Sequence, residues 1–91
     1  MVARMTGRGK VETQAARRAS ARMEILRQAA RAGVPRCTAP AFASGGPIVA
    51  NGFLESWEVG PAGRARRVRV TVSYLTVRGR RSAVLETDLA C

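Results

Sequence analysis

Along the C-terminal part of the chain, apolar and polar positions alternate. Val68, Val70, Val72 and Tyr74 take turns with Arg69, Thr71 and Ser73, the two-residue period of a strand with one buried face. Arg78-Gly79-Arg80 interrupts the pattern, which resumes from Ser82 to Leu89. There Ala83, Leu85, Thr87 and Leu89 make one face, and Ser82, Glu86 and Asp88 the other. Upstream, Phe53 to Val59 forms a similar run. Phe53, Trp57 and Val59 share one face with Glu55 between them, and Gly60-Pro61-Ala62-Gly63 closes the run. Ile48-Val49-Ala50 offers a further short strand, followed by the tight-turn pair Asn51-Gly52. Three to four strands with short turns between them predict an antiparallel β-meander.

The period changes ahead of these strands. From Val11 to Ala32 the residues are mostly Ala, Arg, Gln, Glu, Met and Leu, all good helix formers. Ala16, Ala19, Met23, Leu26 and Ala30 recur at spacings of three and four, with Ala15 widening the stripe. The stripe is narrow and alanine-rich, which suits close packing on a sheet or on another helix. Arg17, Arg18, Arg27 and Arg31 lie away from its centre. Gly33 is a stop signal and Pro35 prevents resumption. Residues 1–10 show no period and are expected to form a disordered basic lead-in. Residues 36–46 read as a loop rich in Pro, Ala, Ser and Gly. The expected fold is α+β: one N-terminal amphipathic helix packed on a small antiparallel meander, forming a single domain over residues 11–91.

Length limits what such a fold can do. A chain of 91 residues buries only about 60–65% of its unfolded surface. One helix on one sheet fills that volume and leaves little for an internal cavity.

Charge changes the picture more. The formal net charge is +10, from 16 basic and 6 acidic residues, and every basic residue except Lys10 is arginine. Arginine binds phosphate bidentately. It is also, with Ala and Gly, what GC-rich codons encode, and the arginines here are scattered rather than stacked in one block. Two clusters stand out as candidate anion contacts: Arg64, Arg66, Arg67 and Arg69 before and within one strand, and Arg78, Arg80 and Arg81 at the following turn. Nonspecific affinity for nucleic acid or an anionic surface is expected from charge alone. Trp57 reads as a core anchor rather than a stacking platform for bases, because Glu55 and Glu58 flank it.

Candidate chemistry is sparse. The chain has no histidine, which removes Ser-His-Asp and Cys-His arrangements. Without histidine, and with only Cys37 and Cys91 as thiols, a structural zinc site within one chain is disfavoured. No C-x-x-C is present, and Gly45-Gly46 is not followed by Gly-Lys-Ser/Thr. Glu55 and Glu58 would point to opposite faces of a strand, and Glu86 and Asp88 would share an exposed one. No catalytic set, cofactor or small-molecule substrate is therefore expected. Cys37 and Cys91 either pair, in an oxidising compartment, or remain free thiols. No apolar run reaches signal-peptide or membrane-span length.

Taken in order, these segments resemble a family. Residues 19–27, Ala-Ser-Ala-Arg-Met-Glu-Ile-Leu-Arg, resemble the alanine-rich helix that follows the membrane segment in minor pilins, with Glu24 and Leu26 standing where an acidic residue and a leucine are typical. The nearest likeness is to type IV pilus modification proteins and type II secretion minor pseudopilins. Ser56-Trp57-Glu58-Val59 resembles their first sheet strand. Val68 to Tyr74 resembles their V-x-V-T-V-x-W strand, with Tyr74 in place of Trp. Gly79-Arg80-Arg81 with Leu85-Glu86-Thr87 resembles their closing strand. The likeness spans roughly Gln14 to Cys91. The family's basic leader, Gly-Phe cleavage site and apolar span have no counterpart here, so the resemblance implies the soluble part of a longer protein.

The resemblance carries further expectations. The Ala16, Ala19, Met23, Leu26 and Ala30 stripe would pack on Val68, Val70, Val72 and Tyr74, with Trp57 in the same core. Cys37 and Cys91 would be candidates for a bridge formed in the periplasm. The role would be structural, in a pilus or pseudopilus, with other pilin-like subunits as partners through the helix. The location would be the cell envelope if a prepilin segment lies upstream, and the cytoplasm for the chain as written. A small basic nucleic-acid-binding protein is the alternative.

Overall fold

The computed structural model describes residues 7–61 and 63–91, with side chains from residue 10 onward. One helix, α1 (Gly7–Ala32), precedes four strands: β1 (Gly45–Ala50), β2 (Phe53–Val59), β3 (Ala65–Thr76) and β4 (Gly79–Ala90). The strands form one antiparallel sheet in the order β1-β2-β3-β4, and α1 covers one face of it. The fold is the α+β helix-on-meander expected from the period change. No described helix is long and apolar enough to cross a membrane.

The helix starts earlier than its pattern suggests. Gly7 to Lys10 belong to α1, which corrects the lead-in drawn over residues 1–10; residues 1–6 lie outside the described residues. Gly7 and Gly9 disfavour a helix here, by about 1 kcal/mol each relative to alanine, but no proline intervenes and propagation from the well-formed turns beyond costs less than a new nucleus. The C-terminal end sits where Gly33 places it. The Cys37 amide reaches back to the Ala30 carbonyl at 2.8 Å and satisfies one of the acceptors a helix end leaves open.

The two long strands pair without interruption from Ala65↔Ala90 to Thr76↔Gly79. Val68, Val70, Val72 and Tyr74 are all buried under α1, and Arg67, Arg69 and Leu75 face away. The Asn51-Gly52 turn joins β1 to β2 with both φ angles positive, +52° and +83°, the form that matches strand twist in a two-residue hairpin. Phe53 on β2 stands opposite Tyr74 on β3, and their rings meet edge to face with centroids 6.0 Å apart.

The core lies between α1 and the β3–β4 half of the sheet, with only marginal contact to β2. Ala15, Ala19, Met23, Leu26, Ala29 and Ala30 supply the helix side. Alanine lets the two backbones approach, and Leu26, Val68, Val70 and Val72 fill the centre completely. Burying each of those larger side chains is worth about 1.5–3 kcal/mol. One helix position needs correction. Ala16 is exposed and Ala15 takes its place. Both fit the spacing to Ala19, one at four residues and one at three, and two alanines carry no size difference to separate them. Phe42, from the loop between α1 and β1, is buried in the same core.

Candidate functional site

Arginine distribution decides which surfaces are free to bind. Along the seam between α1 and β2, two arginines reach down from the helix onto aromatic rings. Arg22 lies 3.9 Å from the Trp57 ring centroid and its Nε donates to the Glu55 carboxylate. Arg18 lies 4.8 Å from the centre of Phe53. Both contacts place a delocalised cation on a π-face. Trp57 is half-buried at the core's margin, roofed by Arg22, and its Nε1 donates to the Ala43 carbonyl at 3.0 Å. Beside it, the Val59 amide donates to Ser44 Oγ at 2.8 Å. The stretch leading into β1 is thereby tied to β2.

The first arginine cluster does not survive as a cluster. Arg66 points to the helix side, 5.2 Å from the Phe42 ring centroid, and its Nε donates to the Gly60 carbonyl at 2.8 Å. Arg67 and Arg69 are on the opposite, outer face. Arg67 Nε meets Asp88 Oδ1 at 2.8 Å, and Arg69 Nε meets Glu86 Oε2 at 2.9 Å. Arg67 also lies 3.7 Å from Glu86. The Arg67 hydrogen bond, reinforced by its charge, holds the Asp88 carboxyl below the ordinary aspartate value; the same bond, with the charges of Asp88 and Glu86, raises the Arg67 guanidinium. Arg64 is exposed just ahead of β3. Two of the four arginines are thus neutralised by carboxylates and a third is packed.

The second cluster is separate. Arg78, Arg80 and Arg81 surround the β3–β4 turn, in an open cleft shared with Glu12, Tyr74, Ser82 and Ala83. Arg80 reaches Ser73 Oγ at 3.3 Å. None of the three meets a carboxylate among the described residues. The nearest members of the two clusters, Arg69 and Arg81, are five residues apart along the β3–β4 ladder, about 17 Å at strand rise, and on opposite faces of the sheet, so the clusters do not merge into one cationic track.

Cys37 and Cys91 form a disulfide, with Cα atoms 5.7 Å apart and a sequence separation of 54. It ties the loop after α1 to the residue following β4. No group of acidic or thiol side chains suitable for a metal occurs among the described residues.

Sequence reasoning did not single out Phe42 or the Arg22–Glu55 pair. A lone aromatic in a loop of small residues was a signal for the first. The second has none, because its partners lie 33 residues apart. Comparison of the chain with protein-family models, with curated proteins and with solved structures finds no match.

Proposed function

We propose that this chain is a structural subunit of the minor pilin or pseudopilin type, which assembles with other pilin-like subunits in the cell envelope. One observation carries the reading: the disulfide between the post-helix loop and the C-terminal end of the sheet. It accompanies the helix-on-meander order that the resemblance implies. Such a bridge belongs to an oxidising compartment, and a rigid helix-on-sheet body suits packing between subunits. The test is to trap thiols in the native cells, fractionate them and identify cross-linked neighbours. Recovery in the envelope fraction, oxidised and cross-linked to other subunits with a pilin-like helix, is expected. Recovery as a dithiol in the cytosol would end the proposal.

A second reading rests on Arg78, Arg80 and Arg81, which lack a carboxylate partner among the described residues. They suit a phosphate backbone and make nucleic-acid binding the alternative. That reading requires binding that weakens steeply with salt. Filter binding at two salt concentrations decides it: absence of binding at moderate salt removes it.

A further inference from the structure

The sheet has two edges, and they are built differently. β1 is six residues long, contains Pro47, and shifts register between Gly45 and Ile48. Proline and an irregular register are the usual ways an edge is closed to further pairing. β4 has neither. It is twelve residues long, runs in one register against β3 throughout, and contains no proline.

The direction of its free backbone groups follows from the ladder. The Cys91 amide donates to the Arg64 carbonyl, and the Gly60 amide to the Arg67 carbonyl. Pairing alternates along an antiparallel ladder. Odd-numbered residues of β4 therefore bond to β3, and the amides and carbonyls of Arg80, Ser82, Val84, Glu86 and Asp88 point outward along the open edge.

The side chains of this edge are sorted by charge. Arg80 and Arg81 stand at its start, Glu86 and Asp88 near its end, and Val84 and Leu85 between them, 53% and 37% exposed. A strand with cations at one end and anions at the other is complementary to its own antiparallel copy. With a two-fold axis at Val84, Arg80 faces Asp88 of the second copy, Ser82 faces Glu86, and Val84 faces Val84. Asp88 and Glu86 already hold Arg67 and Arg69, and a carboxylate has lone pairs for a second donor. Arg80 of the second copy would extend the Arg67–Asp88 pair into a network across the joint.

We propose that the β4 edge is a self-association surface through which two copies of this chain pair β4 to β4, antiparallel, into a continuous eight-stranded sheet. The axis stands perpendicular to the sheet, so both helices lie on the same face. The inference stands on β4 alone and does not require the pilin-type reading.

Sedimentation velocity with oxidised protein tests it, together with amide exchange. The unmodified chain is expected to form a concentration-dependent dimer. The Ser82, Val84 and Glu86 amides should exchange freely in dilute solution and become protected as the dimer fills. Arg80→Glu alone and Asp88→Arg alone each place like charges opposite one another and should weaken self-association at least about tenfold. Mixing these two variants restores both opposite-charge pairs, so the mixture should form a dimer although neither variant does alone. That rescue also shows that both variants remain folded. A chain that stays monomeric at all accessible concentrations overturns the proposal. So does a dimer whose β4 amides stay unprotected, or a mixture that fails to associate while circular dichroism shows both variants folded.

Discussion

Arg22 acts twice at one position. Its guanidinium covers the indole of Trp57 and hydrogen-bonds the Glu55 carboxylate, and both side chains of the pair are largely shielded, at 21% and 13% exposed. Removing the arginine strips the ring of its cover and leaves a mostly buried carboxylate without its cation. Arg22→Ala is therefore expected to lower unfolding free energy by about 1–3 kcal/mol, read as a shift of the urea midpoint. Arg22→Lys should recover only part of this, because an ammonium lacks the planar fork. Adding Glu55→Gln to Arg22→Ala should also recover part, since the unpaired charge is gone; no recovery would refute the account. Asp88 supplies a second test. Its carboxyl is depressed chiefly by the Arg67 hydrogen bond, which outweighs an opposing effect of desolvation, with the Arg67 charge adding to the depression. A depressed carboxylate contributes stability that is present above its unfolded value and lost as pH falls through the folded one. In an NMR titration Asp88 should protonate below the ordinary aspartate range, and Arg67→Gln should move it back up. An unchanged midpoint would mean that the pair is not held in solution. Neither pair was legible in the sequence, because arginine at this abundance gives no cue to which one finds a carboxylate.

β1 depends on two glycines that sit against β2. A Cβ on Gly45 would fall 2.6 Å from the Trp57 ring, and one on Gly46 would fall 2.5 Å from the Glu55 carbonyl, where φ is already +86°. Gly46→Ala meets both a backbone clash and a left-handed conformation, and should cost about 1–3 kcal/mol. The loss should appear locally. Hydrogen exchange in β1 and at its bonds to β2 should accelerate more than in β3 and β4, whose mutual pairing the substitution leaves intact. Uniform acceleration across the sheet would show instead that β1 is integral to the core. The runs at Phe53–Val59 and Val68–Tyr74 have a strong period of two and are strands, and Asn51-Gly52 forms the turn it signals. The extra helical turn at Gly7–Lys10 and the early start of β1 at Gly45 carry no period at all. There the neighbouring helix and the partner strand β2 decide the conformation. At Ala15 and Ala16 the period is present but ambiguous, and tertiary packing alone selects which alanine is covered.

For the molecule as a whole, the disulfide is the largest single constraint. The main core is one layer of side chains between one helix and one sheet face. A chain of 91 residues at ordinary stability per residue holds about 5–14 kcal/mol against unfolding. Cys37–Cys91 closes a loop with a sequence separation of 54, which restricts the unfolded chain by about 4 kcal/mol on the chain-entropy account. That is a sizeable share of the total. It also holds the loop carrying Phe42 against the sheet, so reduction loosens a core residue along with the chain ends. Replacing both cysteines by serine should lower the unfolding free energy by about 4 kcal/mol, measured by urea unfolding against the oxidised parent. Far-UV circular dichroism should keep the helix and sheet signals if the α1–β3–β4 core suffices, and Phe42 should become mobile by NMR. A midpoint that does not move would mean that the bridge spans ends already held by packing, and that this fold is as secure in a reducing compartment as in an oxidising one.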